Sequence, residues 1–173
     1  QIYNALAATA VAMKLGMTPQ EIAAGAAKVQ AMGGRSHLIR TNRYVVLDDC
    51  YNANPVSMKA AVELLTNAVG RKVAILGDMF ELGEKETQLH AGIGTFCAEC
   101  GIDEVICVGS LSANMAQAAK ESGAAGMQVY HYEELEQLRR DLPGLLQPGD
   151  NILIKASHAM HFEKLVEDLT QNP

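Results

Sequence analysis

From Arg35 onward, short apolar runs of strand length alternate with stretches in which apolar residues recur at helical spacing. The strand-like runs cover residues 45–49, 72–78, 104–109, 127–132 and 151–155. Apolar residues at i, i+3, i+4 and i+7 predict helices between and after these runs. They are Met58, Ala61, Val62 and Leu65, then Phe162, Leu165, Val166 and Leu169, with Leu135, Leu138 and Leu142 as a shorter set. The alternation predicts an α/β fold, a mostly parallel sheet with helices on both faces.

The opening of the chain predicts a helix that is apolar almost all round. Within residues 1–15, the only polar side chains are those of Gln1, Asn4, Thr9 and Lys14. A helix of this composition is normally buried on most of its sides. Because the chain offers nothing upstream to bury it, we expect the sequence to be part of something longer.

A second helix is predicted by its starting residues. Thr18 can cap it, Pro19 takes the first helical position, and Glu21 completes a capping box. We expect it to end near Gly33-Gly34, a candidate hinge. Residues 1–34 are therefore predicted to be a helical lead and residues 35–173 an α/β domain.

Composition and charge exclude several classes of protein. The 173 residues are 49% hydrophobic and 20% charged, which is typical of a globular chain. The 14 basic and 20 acidic side chains give a net charge of −6, so no basic surface for nucleic acid is expected. No apolar run approaches the ~20 residues that span a bilayer. Since no basic region precedes the apolar opening, we also expect no secretory signal, and hence a soluble, cytoplasmic protein.

The cysteines and histidines predict no metal site. Cys97 and Cys100 are spaced as CxxC, but they fall late in a helical stretch and no second pair accompanies them. Four cysteines in a chain of this length do not predict a disulfide scaffold. His158 and His161 belong to no HExxH pattern and are interpreted as a surface pair.

Open α/β sheets bind ligands at the carboxyl ends of their strands, where loops lead into helices. Residues 48–55, 77–84 and 155–160 are the polar loops in such positions. The sequence contains no GxxxxGK[ST] phosphate loop. If the protein uses a nucleoside triphosphate, that loop lies outside this chain.

The first loop, DDCYNANP at residues 48–55, brings two adjacent acids to the end of a strand. Adjacent strand side chains face opposite ways, so only one acid can point into a given site, and Asp49 is the candidate nearer the loop. Its carboxylate suits ribose hydroxyls. Asn54-Pro55 is typical of a helix start, and the alternative interpretation is a capped helix whose acids hydrate a turn.

The other two loops each allow two interpretations. In GDMFELGE, residues 77–84, the acids including Asp78 suit a metal or an ammonium group, but acids at a helix start also complement its dipole. In KASHAMHFE, residues 155–163, Lys155 and Ser157 at a helix N-terminus suit a carboxylate or a phosphate. The alternative there is an exposed lysine followed by a serine cap.

Two of these segments carry a family resemblance. DDCYNANPVSM at residues 48–58, followed by LGDMFELGE at 76–84 with His90 downstream, resembles the bacterial Mur ligases of peptidoglycan synthesis. YNALAATAVA at residues 3–12 is similar to the final helices of that family's central ATPase domain. The similarity runs in register from Tyr3 to about Glu163. DDCYNANP is most similar to the branch that adds D-alanyl-D-alanine.

The resemblance implies that the chain is the C-terminal Rossmann-like domain of a three-domain cytoplasmic ligase, preceded by a helical tail of the central domain. Such an enzyme uses ATP and Mg²⁺ to activate the carboxylate of UDP-N-acetylmuramoyl-tripeptide as an acyl phosphate. The amine of D-alanyl-D-alanine then attacks it. The Mg²⁺ ligands are expected in the absent central domain, so this chain alone is expected to be inactive. The implied process is cell-wall biogenesis, with cell shape and division depending on it.

Carried over by position, the resemblance also implies residue roles. Arg35 would reach the ATP phosphates as the catalytic residue, because its fork binds phosphate oxygens and stabilises charge in phosphoryl transfer. On the nucleotide side would also lie Asn4 near the adenine, Asp49 at the ribose, and Tyr51, Asn52 and Asn54 in the loop. Near the dipeptide would lie Lys155 and Ser157, with Asp78 and Phe162 as further members of that pocket.

Some positions depart from the family pattern. Lys155-Ala156-Ser157-His158 stands where relatives commonly have Lys-Gly-Ser-Arg. Ala156 restricts a backbone that glycine would leave free. His158 replaces a permanent cation by a group whose charge depends on pH. Cys50 stands where serine is common, a change that we expect to be tolerated, and His90 is interpreted as structural because it lies on a predicted helix.

Two other functions stay open from the sequence. One is a stand-alone α/β module that binds a nucleotide or a small peptide without catalysis, and the other is a different Mur or folylpolyglutamate-type ligase. The apolar first helix separates the first alternative from a ligase fragment, because a stand-alone protein should cover that face itself. For Asn4 and Arg35, the alternatives are a polar residue on a packed helix and a surface ion pair.

Overall fold

The computed structural model describes residues 2–29 and 33–171. The chain divides into two compact units, Gln1–Ala31 and Met32–Pro173. The boundary predicted between residues 34 and 35 stays a prediction. None of the helices in the described ranges has the length and apolar composition needed to cross a membrane.

The first unit contains α1 (Ile2–Lys14) and α2 (Pro19–Ala26). No side chain of α1 is buried, and its apolar residues such as Tyr3, at 85% exposure, are open. Among the residues that the structure describes, the apolar face of this helix is thus exposed, as expected if the sequence is part of something longer.

The α2 helix begins as predicted but ends early. The Thr18 hydroxyl accepts the Glu21 N–H at 3.3 Å, and the Glu21 carboxylate accepts the Thr18 N–H at 2.8 Å, which confirms the capping box. The predicted end near Gly33-Gly34 is wrong, because the helix stops at Ala26. Beyond it the Lys28 N–H bonds to a carbonyl only three residues back, the tighter pattern in which α-helices terminate.

The second unit consists of strands that alternate with helices. The strands are β1 (His37–Arg40), β2 (Val45–Asp48), β3 (Lys72–Gly77), β4 (Glu104–Val108), β5 (Gln128–Tyr132) and β6 (Asn151–Lys155). The helices are α3 (Pro55–Thr66), α4 (Glu86–Glu99), α5 (Ala113–Glu121), α6 (Leu135–Leu145) and α7 (Glu163–Gln171), with 3₁₀ turns at Gly83–Lys85 and His158–Met160. Every strand predicted from an apolar run is present, within one residue of its predicted bounds.

The strands form one sheet in the order β1-β2-β6-β3-β4-β5. All neighbouring pairs are parallel except β1 and β2, which are antiparallel with His37 opposite Asp48. The sequence does not predict β1, because this four-residue edge strand has an alternating pattern with two exposed side chains and no apolar run. The predicted mostly parallel α/β sheet is confirmed.

Alternate side chains of each strand enter two separate apolar cores, one on each face of the sheet. Val73 and Ile75 of β3 join the core beneath α6 and α7, whereas Ala74 and Leu76 join the core beneath α3, α4 and α5. The apolar positions predicted for α3 and for the α7 stretch are buried, and Leu135 of α6 is half-buried. Helices on both faces are therefore confirmed.

The connections of the chain change face at the carboxyl ends of β2, β6 and β3, and this edge of the sheet is here called the crevice. The β2 and β3 strands lead into α3 and α4 on one face, and β6, which lies between them, is followed by α7 on the other. Connections that leave neighbouring strands toward opposite faces open the crevice in which α/β proteins bind ligands. The three polar loops predicted from the sequence all lie at this edge.

The amino ends of β6, β3 and β4 are held together by an ion cluster. Arg71, just before β3, donates to Asp150 before β6 at 2.7 Å and to Glu104 at the start of β4. Within the described part of the chain, the fully buried Glu104 Oε1 has no hydrogen-bond partner. Burial raises the pKa of Glu104, although the charge of Arg71 opposes this shift. The cluster therefore lies at the edge opposite the crevice.

Candidate functional site

Asp48 and Asp49 leave the end of β2 in opposite directions, as the alternation of strand side chains predicts. The Asp48 carboxylate is buried and accepts the Gly34 N–H at 2.6 Å and the Cys50 thiol at 3.0 Å. Burial, with Asp48 as its neighbour, raises the pKa of that thiol. Asp48 is therefore committed to internal contacts, which leaves Asp49 as the candidate for a ligand.

Asp49 connects two other parts of the crevice. Its Oδ1 accepts the Ser36 N–H at 2.8 Å, and its Oδ2 pairs with the Lys155 ammonium at 2.5 Å. Ser36 has a left-handed backbone with φ of 50°, which is uncommon outside glycine and is held here by the bond to Asp49. A carboxylate offers about four acceptor positions, so room remains for a hydroxyl donor.

Arg35 is carried on residues 33–36, here called the Arg35 segment. Gly34 has φ of +74°, and a Cβ at this position would lie 3.2 Å from the Tyr51 backbone nitrogen, so glycine is required. The Gly34 carbonyl accepts the Tyr51 N–H at 2.9 Å, while its own N–H donates to Asp48. Both backbone polar groups of Gly34 are therefore bonded to the β2–α3 loop and to the end of β2, and the predicted hinge at Gly33-Gly34 stays a prediction.

Arg35, Tyr51 and His158 form an exposed stack at the crevice. The Arg35 Cζ lies 3.8 Å from the Tyr51 ring centroid. The Tyr51 and His158 ring centroids are 5.4 Å apart, with the planes tilted by 33°. Contact with an aromatic face orients a guanidinium while leaving its N–H groups available. In the described part of the chain, Arg35 thus contacts an aromatic ring. The alternative interpretation predicts an ion pair with a surface acid.

Lys155 is buried, so the alternative of an exposed lysine is wrong. Its side chain is 2% exposed. Besides the Asp49 carboxylate, its ammonium donates to the Asn52 carbonyl at 2.8 Å and to the Asp49 carbonyl at 3.4 Å. Lys155 therefore holds the β2–α3 loop against the end of β6.

The β2–α3 loop leaves Tyr51, Asn52 and Asn54 exposed. Asn54 Oδ1 accepts the Ser57 N–H at 2.9 Å, and the Ser57 hydroxyl oxygen accepts the Asn54 N–H at 3.1 Å. The capped-helix interpretation is therefore correct for Asn54. The nucleotide-side roles of all three residues stay predictions.

Asp78 anchors a neighbouring loop. Its buried carboxylate accepts the N–H groups of Ser112 at 2.7 Å and Leu111 at 3.3 Å, at the start of α5. A Cβ on Gly109, where φ is +110°, would lie 2.5 Å from this carboxylate, so the glycine makes room for it. The predicted ligand contact of Asp78 has no support in this geometry. Residues 2–29 and 33–171 contain no group of three or more His, Cys, Asp or Glu side chains arranged for a metal.

Ser157 joins the end of β6 to the loop after β3. Its hydroxyl oxygen accepts the Phe80 N–H at 3.0 Å, and its own N–H donates to the Asp78 carbonyl at 3.1 Å. The side chain of Phe80 is exposed beside this junction. The sequence analysis missed Phe80. Its place in a polar loop directly after a buried strand is the feature that would have found it.

Phe162 is a core residue. A Cβ on Gly77 would lie 2.7 Å from both the Phe162 ring and the Ala156 Cβ, so the glycine makes space for both side chains. The methyl group of Ala156 is accommodated in this way. A ring with no exposed surface cannot touch a dipeptide, so the predicted contact of Phe162 is not supported.

His90 is structural, as predicted. The buried ring accepts the Met79 N–H on Nε2 at 2.9 Å, and Nδ1 lies 2.6 Å from the Glu86 carbonyl. These partners assign the proton to Nδ1. The ring thereby fastens the loop after β3 to α4.

Two residues remain: Asn4, a predicted site residue of the first unit, and Ser36, a residue of the crevice that was not predicted. Asn4 is an exposed residue of α1 in the first unit, and its place near the adenine stays a prediction. Ser36 is a contact of Asp49 that the sequence analysis missed, because no motif marks a left-handed serine.

The remaining thiols and imidazoles show no reactive arrangement. The four cysteines are free thiols, and burial raises the pKa of Cys97 to about 12. A thiol in such surroundings is a poor nucleophile and a poor metal ligand. His158 and His161 are exposed, which confirms their interpretation as surface residues.

The crevice and its loops coincide with the extent of a known family. The family model described as Mur ligase, glutamate ligase domain, matches residues 34–158. The chain belongs to the Mur ligase family. The resemblance stated from DDCYNANP and LGDMFELGE is confirmed.

Mur ligases of one name match nearly the whole chain. The UDP-N-acetylmuramoyl-tripeptide–D-alanyl-D-alanine ligase of Bacillus subtilis is 36% identical over 99% of this chain and 38% of its own. The Escherichia coli ligase of the same name is 37% identical over 99% of this chain and 37% of its own. The crystal structure of MurF from Acinetobacter baumannii superposes with a TM-score of 0.88 at 32% identity, covering 98% of this chain and 37% of that one. The chain thus spans somewhat more than a third of the length of these relatives.

Proposed function

We propose that this chain is the carboxyl-terminal part of a cytoplasmic, ATP-dependent ligase that joins D-alanyl-D-alanine to UDP-N-acetylmuramoyl-tripeptide in peptidoglycan precursor synthesis. One observation carries the proposal. Asp48 and Asp49 fasten the Arg35 segment so that the guanidinium lies on Tyr51 at the mouth of the crevice, with its N–H groups available. The substrates follow from the name shared by the relatives that match almost the entire chain.

The residues on the β2 side of the crevice fit a nucleotide. Arg35 offers a planar fork of donors to phosphate oxygens, and Asp49 has acceptor capacity for ribose hydroxyls. Tyr51 presents a flat aromatic surface beside them. ATP, when bound, supplies the phosphoryl group that activates the tripeptide carboxylate. In that step Arg35 neutralises charge developing on the phosphoryl oxygens. Asn52 and Asn54 border this side, and Asn4 is proposed to lie near the adenine.

The phosphate loop and the Mg²⁺ ligands are proposed to belong to the other domains of the same enzyme. The sequence contains no GxxxxGK[ST] motif. The described residues contain no group of side chains suited to a metal. The chain by itself is therefore proposed to be inactive.

The ends of β6 and β3 form the side proposed for the dipeptide. The Ser157 hydroxyl holds Phe80 at this place and keeps its own proton for donation. His158 presents an exposed imidazole at this place, beside Tyr51. The hydroxyl donor and the imidazole suit the carboxylate of D-alanyl-D-alanine, and the exposed aromatic ring suits its two methyl groups.

A stand-alone binding module is the second candidate function. It is disfavoured by α1, in which no side chain is buried although most are apolar. A protein complete in itself rarely leaves such a helix open. A related Mur or folylpolyglutamate-type ligase is the third, and it is disfavoured by the name that the Bacillus subtilis and Escherichia coli relatives share.

The test is phosphate release by the natural full-length protein. Purified enzyme with ATP, Mg²⁺ and UDP-N-acetylmuramoyl-tripeptide should release phosphate only when D-alanyl-D-alanine is added, because the amine completes the turnover. Release with another amino acid in place of the dipeptide would identify a different ligase of the family. Nucleotide binding without release under any amine would support the binding module.

A further inference from the structure

Lys155 is the most buried charged side chain at the crevice, and its surroundings differ from those of a ligand-binding lysine. It ends β6 with 2% of its side chain exposed, beside Asp49, whose side chain is 16% exposed. An ammonium group has three N–H donors. Those donors meet the Asp49 carboxylate, the Asp49 carbonyl and the Asn52 carbonyl. Its hydrogen-bonding capacity is therefore filled within the protein.

The acceptors of Lys155 all belong to the β2–α3 loop on the nucleotide side. None of them lies on the β3 side, where Ser157 and Phe80 meet. The direction of the ammonium is fixed by an ion pair of 2.5 Å in a largely dehydrated place, where charge-assisted bonds are strong. Lys155 thus acts on the opposite side of the crevice from the one proposed for the dipeptide.

Asp49 links Lys155 to the Arg35 segment through the two oxygens of its carboxylate. Its Oδ2 holds the ammonium while its Oδ1 accepts the Ser36 N–H at 2.8 Å. Ser36 is bonded in a left-handed conformation directly after Arg35. A shift of the Asp49 carboxylate therefore moves the backbone that carries the guanidinium.

We propose that Lys155 is a positioning residue for the nucleotide half of the site. It orients Asp49 toward the ribose and, through Asp49 and Ser36, sets the place of Arg35. The proposal rests on the function proposed above for this crevice. It replaces the sequence-based expectation of a lysine next to the dipeptide carboxylate.

The test is a comparison of Michaelis constants in the natural full-length ligase. Lys155→Met keeps the side-chain length and removes the charge, which leaves the half-buried Asp49 carboxylate without its cation. The KM for ATP should rise roughly tenfold to a hundredfold and kcat should fall, while the KM for D-alanyl-D-alanine should change less than about twofold. Lys120→Met, at an exposed position of α5, is the matched control and should leave all three constants unchanged.

A double-mutant cycle tests whether the effect passes through Asp49. If it does, Lys155→Met combined with Asp49→Asn should raise the KM for ATP no further than the stronger single variant. Lys155→Arg keeps the cation in a less suitable shape, and it should give a smaller rise in the same constant with the dipeptide KM unchanged. This variant also serves if Lys155→Met does not fold, as judged by thermal unfolding.

Two results would overturn the proposal. One is a selective rise in the KM for D-alanyl-D-alanine in either Lys155 variant, which would mark direct contact with the dipeptide. The other is a full multiplication of the two single effects in the double variant. An unmutated enzyme without ligase activity would instead reject the proposed function, so the two failures are distinguishable.

Discussion

The Arg35 guanidinium lies 3.8 Å from the centre of the Tyr51 ring, so an aromatic face orients the side chain proposed to act on phosphate. An acid in the same place would compete with the phosphate oxygens for the guanidinium N–H groups, whereas a ring leaves them available. The contact also restricts a long side chain before the ligand arrives. Less rotamer entropy then remains to be lost on binding.

Arg35→Lys should slow the turnover of the full-length ligase by at least about tenfold, equivalent to ~1.4 kcal/mol of transition-state stabilisation. A lysine keeps the charge but cannot present a planar fork to phosphate oxygens or stack as closely on Tyr51. Steady-state phosphate release at saturating substrates measures the effect. Arg40→Lys, at an exposed position of β1, is the control and should behave as the unmutated enzyme. A normal rate for Arg35→Lys would make Arg35 a structural residue.

Asp49→Ala should weaken nucleotide binding by the full-length enzyme. A hydrogen bond to a charged group contributes about 1.5–3 kcal/mol, so the Kd for ATP should rise roughly tenfold to a hundredfold. Calorimetric titration with a non-hydrolysable ATP analogue measures this without turnover. Glu63→Ala, an exposed acid of α3, should leave the affinity unchanged. Unaltered affinity in Asp49→Ala would remove the ribose role.

Glu104 should make the chain less stable as pH rises above its ordinary pKa. Burial raises the pKa of this carboxyl above 4.5 in the folded state, so the folded chain holds the proton more tightly than the unfolded chain. Its stabilising contribution is therefore complete below pH ~4.5 and is lost as pH rises through the higher folded-state pKa.

Urea unfolding of the 173-residue chain and of Glu104→Gln, over a series of pH values, measures this effect. The free energy of unfolding of the unmutated chain, minus that of Glu104→Gln, should decrease as pH rises from about 4.5 toward neutrality. Glu99→Gln, at an exposed position of α4, should follow the unmutated chain in shape. A difference that increases with pH would show that the ion pair with Arg71 outweighs burial.

Gly94→Ala and Gly92→Ala should shift stability in opposite directions although both lie in α4. A Cβ on Gly94 would lie 2.0 Å from the Met115 carbonyl oxygen, where α4 and α5 approach closely, whereas a Cβ on Gly92 meets nothing within 4 Å. The first change should cost about 3 kcal/mol through overpacking. The second should stabilise the helix by roughly 0.5–1 kcal/mol. Urea unfolding gives both values, and two changes of the same sign would contradict the close approach of α4 and α5.

The parallel strands could be predicted because strands that are buried on both faces appear in the sequence as continuous apolar runs. Residues 73–77 and 152–154 are apolar on both faces of the sheet, so their runs are continuous. The antiparallel β1 has no such run, since an edge strand with one outward face needs only two half-buried residues. The end of α2 could not be predicted either, because tightening of the last turn follows from local hydrogen bonding and not from a glycine in the sequence.

Individual residues of the candidate site could be predicted from the sequence, but the contacts between them could not. Strand alternation predicts that Asp48 and Asp49 diverge, and the structure confirms it. It does not predict what each acid meets. Lys155 lies 106 positions from Asp49 along the chain, and Ser36 lies 13 positions away. Contacts between distant positions depend on the sheet order, in which β6 inserts beside β2. From the sequence, Lys155 is therefore expected to be an exposed cation or a contact of the ligand. In the fold, its ammonium group is buried and paired with Asp49.

The ion cluster at the amino ends of β6, β3 and β4 also affects how this domain tolerates sequence change. Arg71, Asp150 and Glu104 tie three neighbouring strands together at the edge opposite the crevice. Loops at the carboxyl edge can then vary in length and composition without loosening the sheet on which they stand. A substitution in one of these loops is then expected to alter ligand binding more than the stability of the sheet.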